Sequence, residues 1–130
     1  ESIIRLSDVL RARLDADLVV MSACNTAGPD GRGAGEAFSG LARGMLYAGA
    51  RSLLATHWTV PDFPIAAIAA LTLSRVGRGE EPAEALSEAQ REFLSRADDG
   101  NLPAAYAHPF NWAAPVAIGG QQTQAQQAQR

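Results

Sequence analysis

The chain has 130 residues, a formal net charge of −3 and a single cysteine, with 47% apolar and only 6% aromatic residues. That length fits one domain. The weak acidity excludes a nucleic-acid binder held by phosphate contacts, which needs a basic face. One thiol excludes an internal disulfide and any multi-thiolate zinc site, and it suits a reducing, cytoplasmic setting. The sequence has no apolar run of the roughly 18–20 residues a membrane span needs, and no signal-peptide pattern. It begins at Glu1 rather than Met, so an earlier segment is expected.

In chain order, Ser2–Leu6 reads as a short apolar strand, and Ser7 as the N-cap of a short helix over Asp8–Leu14. Leu18–Met21 is a continuous apolar run rich in β-branched residues, the pattern of a strand buried on both faces. It runs into Ser22-Ala23-Cys24-Asn25-Thr26 and a glycine-rich stretch from Gly28 to Gly35, which reads as a loop. That stretch lacks both the Gly-Lys-Ser/Thr ending of a P-loop and the dinucleotide-binding glycine spacing. Glu36–Ala48 reads as a helix ended by Gly49, and Ser52–Thr56 as a second buried strand. His57–Asp62 is a loop, Ile65–Val76 an apolar helix, and Pro82–Ser95 an amphipathic helix with Pro82 at its first position. Asp98–Pro109 reads as a loop. Trp112–Ile118 reads as a last strand, confined by Pro115 to a sheet edge. Gln121–Arg130 is a low-complexity Gln-rich tail, expected to be disordered or weakly helical.

Strands alternating with helices predict an α/β fold, a three-layer α/β/α sandwich with a mostly parallel sheet. Leu18–Met21 and Ser52–Thr56 are predicted to be adjacent and parallel. Ligands of such sheets bind beyond the carboxyl ends of the strands. This rule brings the segments around Cys24 and His57–Asp62 to one working edge. A thiol there is accessible to a substrate as a nucleophile, whereas elsewhere a lone cysteine is commonly a small buried hydrophobe. Backbone N–H groups around Asn25 and Thr26 are free to line an oxyanion hole. Asp62 serves either as a cap for the following helix or as an acid in a substrate pocket. Trp58 is either packing or a pocket wall. His57 is either a polar loop residue, a stand-in base or part of the pocket lining, and His108 and Trp112 are expected to anchor the last strand's entry.

Four blocks carry a resemblance: DLVVMSACNTAG, GEAFSGLARGMLYAGARSLLATHWTVPD, EPAEALSEAQ and HPFNWAAPVAIGG. In order and spacing they resemble the carboxyl half of a CHAT domain, a caspase-like family related to separase, over residues 1–120. The resemblance implies an incomplete caspase-like sheet, with Cys24 as the nucleophile of a cysteine endopeptidase acting on a protein or peptide substrate. It implies a histidine base in an upstream segment ending in His-Gly; the two histidines present, His57 and His108, stand at other positions. The chain alone is therefore expected to be inactive. Asp62 matches the family's acidic position, which in separase helps form a pocket for a basic side chain. Helical repeats of the TPR type are implied as neighbours outside the chain, and no cofactor or metal is called for. The competing expectation is a non-catalytic caspase-like interaction or regulatory module.

Overall fold

The computed structural model describes residues 5–21 and 42–120. The predicted strand at Ser2–Leu6 lies largely outside them, as do residues 36–41 of the helix expected over Glu36–Ala48; the glycine-rich loop and the tail lie wholly outside.

The described elements are α1 (Leu6–Arg11), β1 (Val19–Val20), helical residues 42–47 (α2), β2 (Ser52–Thr56), α3 (Asp62–Gly77), α4 (Pro82–Asp98), a 3-10 turn at Ala104–Ala107, α5 (Pro109–Trp112) and β3 (Pro115–Gly119). β2 is the centre of the sheet, and all five of its residues are buried. β1 pairs with it in parallel, Val19 opposite Leu53 and Val20 opposite Leu54. An Ala16–Ala50 bridge precedes this pairing. Beyond it, the Met21 N–H donates to the Leu54 carbonyl at 2.8 Å. β3 lies on the other side, antiparallel, from Ser52 opposite Gly119 to Thr56 opposite Pro115. The predicted parallel neighbours are thus observed, and Pro115 opens the strand at the edge of the described sheet, where its missing N–H removes no central ladder bond.

Alternation along β2 sorts the core into two halves. Leu53 and Ala55 pack with Met21, Ala42 and Ala50, and with Met45 and Leu46 of α2. Leu54 points the other way, onto Ile68 of α3 and Leu86, Ala89 and Phe93 of α4. The sheet therefore has helices on both faces, in three layers. On the second face, Arg75 of α3 reaches Glu80 and Glu92 at 3.3 Å each, and Glu92 also pairs with Arg96. Desolvation is the largest influence on Arg75 and acts downward. The Glu92 and Glu80 carboxylates outweigh it, so its pKa is raised.

Gly49 ends α2. Its N–H donates to Leu46 and that of Ala50 donates to Met45, each at 3.1 Å, the double bond of a Schellman cap. Its φ of 113° needs glycine.

Several boundaries differ from the sequence reading. α1 starts at Leu6, capped by Arg5 rather than Ser7, because the Asp8 carboxylate accepts the Arg5 N–H at 2.8 Å. It stops at Arg11, three residues before Leu14, whose N–H is instead taken by the Ala48 carbonyl. α3 starts at Asp62 rather than Ile65, since Pro64 falls in the first turn, where its missing N–H is no loss. α4 runs to Asp98. Trp112 belongs to a helical turn and not to the last strand: Pro109 sits at that turn's first position and His108 Nδ1 accepts the Phe110 N–H at 3.1 Å.

Candidate functional site

The parallel pairing of β1 and β2 sends both chains off the same edge of the sheet. From β1 the chain passes Met21 and reaches Cys24 three residues later. Cys24, Asn25 and Thr26 lie outside the described residues. From β2 it passes His57 and Trp58 and enters α3 at Asp62.

Every β2 side chain is committed to the core, so chemistry at this edge falls to the residues after Thr56. Their path is held from the β3 side. The His57 N–H donates to the Ala114 carbonyl at 3.0 Å. Trp58 Nε1 donates to the Phe110 carbonyl at 2.9 Å, and the two rings stack at 6.3 Å between centroids. Phe110 is itself held on α5, whose Trp112 donates through Nε1 to Ala107 at 3.0 Å. Gln90 of α4 donates through Nε2 to the Trp112 and Pro115 carbonyls at 2.8 and 3.1 Å. His108 and Trp112, expected to anchor the entry to the last strand, bond within α5 and the turn before it, and Gln90 is the side chain that bonds to β3 itself, at Pro115.

Asp62 is exposed in the first turn of α3, where the helix dipole favours its negative charge. The cap position belongs to Pro61, and no side chain caps this helix, so the capping role considered for Asp62 is not the one it has. It stands instead at the rim of an open concavity of about 250 Å³ whose other walls are Ile65, Ala66 and Ala69. One carboxylate above three apolar residues suits a side chain with an apolar stem and a cationic tip. Positions 62, 65, 66 and 69 share one helix face, which becomes apparent only because α3 begins at Asp62.

The structure thus brings Trp58, His57 and Asp62 into one loop–helix junction. His57 is exposed, and Trp58 is half-buried by its contact with Phe110. His108 is engaged through Nδ1 in capping α5. Among the described residues there is no group of three or more metal-binding side chains and no helix long and apolar enough to cross a membrane.

The CHAT domain family matches residues 1–120 of this chain. The chain belongs to the CHAT domain family. It is related in this way to the caspase-like peptidases. A curated relative, tetratricopeptide repeat protein 28 of Mus musculus, is 30% identical over 119 residues, which is 92% of this chain and 4% of that protein. The CHAT chain therefore spans a small fraction of the length of that relative. No solved structure matches.

Proposed function

We propose that this CHAT domain is the nucleophile-bearing part of a caspase-like cysteine endopeptidase acting on proteins in the cytoplasm. The observation that supports it most is the β1–β2 register, which brings the strand leading to Cys24 and the strand leading to Asp62 to one edge.

In this reading the Cys24 thiol loses its proton to a histidine supplied from outside residues 1–130, and the thiolate attacks the scissile carbonyl carbon. A carbon–sulfur bond forms, and the carbonyl π electrons move onto oxygen. Backbone N–H groups about Asn25 and Thr26 stabilise that oxyanion. Its collapse breaks the carbon–nitrogen bond, and the histidine returns the proton to the leaving amine. Water, deprotonated by the same histidine, then attacks the thioester; the carbon–sulfur bond breaks, the acid is released and the Cys24 thiol is restored. Asp62 reads an Arg or Lys side chain whose stem lies on Ile65, Ala66 and Ala69. Trp58 and His57 line the approach. Helical repeats outside the chain present the substrate or control access, a role supported by the printed name of the mouse relative.

The test compares the chain with the same chain extended upstream by a strand ending in His-Gly. Extension is expected to accelerate iodoacetamide labelling of Cys24 and to permit cleavage after Arg or Lys. Asp62→Asn weakens that preference and leaves labelling intact. Undiminished cleavage by the extended Cys24→Ala variant refutes the nucleophile. The competing reading is a non-catalytic interaction module. An extended protein that labels slowly and cleaves nothing supports that reading instead.

A further inference from the structure

α3 differs from α4, its neighbour in the same layer. α4 is amphipathic, with Ala85, Leu86, Ala89 and Phe93 buried and Glu81, Glu84, Arg91 and Arg96 exposed. α3 carries no charge at all from Phe63 to Ser74. Its buried side uses Pro64, Ile68 and Thr72. Its outer side is apolar apart from Ser74: Phe63 and Leu73 are 51% and 47% exposed, the Phe63 ring resting by one face on Tyr106 at 5.6 Å, and Ala66, Ala70 and Gly77 lie between and beyond them in the open. A helix apolar all round is normally covered all round.

The exposed residues 63, 66, 70, 73 and 77 follow a 3-4-3-4 spacing, which forms a single straight seam for another helix. We propose that the seam's occupant is the α3 helix of a second copy of this chain, docked antiparallel about a two-fold axis at Ala70. In that arrangement residues whose numbers sum to 140 stand at the same height. Phe63 then faces the second copy's Gly77, and Leu73 faces the gap beside its Ala66, so each large side chain meets a small one. Asp62 faces the second copy's Arg78, and symmetry makes this ion pair twice. Because the seam uses Asp62 and Ala66, the dimer covers the concavity assigned above to substrate, and dimer and substrate exclude one another. Arg78 is free to turn toward it: its side chain is 62% exposed and its present contacts, Ser74 at 3.4 Å and Glu80 at 4.0 Å, are local. A parallel arrangement would instead set Asp62 against Asp62 and Phe63 against Phe63. Charge and size both select the antiparallel two-fold.

The contact is a strip about 24 Å long and one helix wide on each copy. That falls short of the roughly 1,200 Å² of a stable standard interface, so the dimer is weak and concentration-dependent.

Sedimentation velocity on the chain from about 10 μM to about 1 mM, a range that spans weak dissociation constants, tests the proposal. The mean mass is expected to climb from 13.7 kDa toward twice that value. Ala70→Glu, which sets two carboxylates at the axis, should raise the dissociation constant at least tenfold. Ala83→Glu, at an exposed position on α4, should leave it unchanged. Arg78→Asp should weaken the dimer, and Asp62→Arg added to it should restore it. Circular dichroism confirms that each variant folds. A protein that stays monomeric throughout overturns the proposal, and so does a dimer indifferent to Ala70→Glu, which would be held by some other surface.

Discussion

Gly49→Ala is the single substitution whose cost the structure states most directly. At φ 113° the alanine Cβ would stand 1.9 Å from the Leu14 carbonyl oxygen, a backbone atom. Leu14 cannot easily retreat, because its own N–H is bonded to the Ala48 carbonyl at 2.6 Å. Two costs combine. Holding a non-glycine residue in this region costs about 1–3 kcal/mol. Moving Leu14 away sacrifices a hydrogen bond worth about 1 kcal/mol. The expected destabilisation is about 2–4 kcal/mol, or roughly 8–15 °C in Tm for a chain of this size. Gly79 supplies the internal control: its φ of 96° carries comparable backbone strain, but an added Cβ meets nothing within 4 Å. Gly79→Ala should therefore cost only the strain, about 1–3 kcal/mol, and so about 1 kcal/mol less than Gly49→Ala. Urea unfolding of both variants, with m unchanged, measures the difference. Equal losses at the two positions would show that contact between Gly49 and Leu14 does not hold the start of the sheet, and the reasoning would fail.

Two further outcomes are expected. Phe93 is 1% exposed and joins α4 to Leu54 and Ile68, so Phe93→Ala should cost about 3–5 kcal/mol in the same urea assay. Gln90→Ala leaves the Trp112 and Pro115 carbonyls without their side-chain donor and should cost about 1–3 kcal/mol, with faster amide exchange in β3 before global unfolding.

Much of the fold was legible because it rests on local pattern. The unbroken apolar run of Ser52–Thr56 announced a strand buried on both faces, and all five residues are buried. Pro115 announced an edge strand, and it opens one. What the sequence hid depends on groups distant from the residue concerned, or on competition between neighbours. Ser7 is the better cap by type, yet Asp8 offers a charged acceptor to Arg5 and moves the helix start. Trp112 looks like a strand residue until the turn at Pro109 and the Nε1 bond to Ala107 are known. Gln90 carries no motif, because its partners lie 22 and 25 residues further on. For the site, the shared edge followed from topology. Asp62 was visible as an acid, but the apolar floor beneath it emerges only once α3 is known to begin at that residue.

That early start of α3 links fold to chemistry. Were the helix to begin at Ile65, Asp62 would sit in a loop, with no fixed relation to Ala66 or Ala69. With Pro61 as the cap and Pro64 in the first turn, the carboxylate is placed one turn above Ile65 and Ala66 and two above Ala69. The loop before it has little freedom, since His57 is tied to Ala114 and Trp58 to Phe110 on the β3 side. β2 and its ties thus fix where Asp62 stands, while contributing no reactive side chain of their own. Asp62 is exposed to solvent, and an exposed charge adds little to stability. Asp62→Asn is accordingly expected to change unfolding by less than about 0.5 kcal/mol. A loss of 2 kcal/mol or more would make the carboxylate a structural group and remove it from the site.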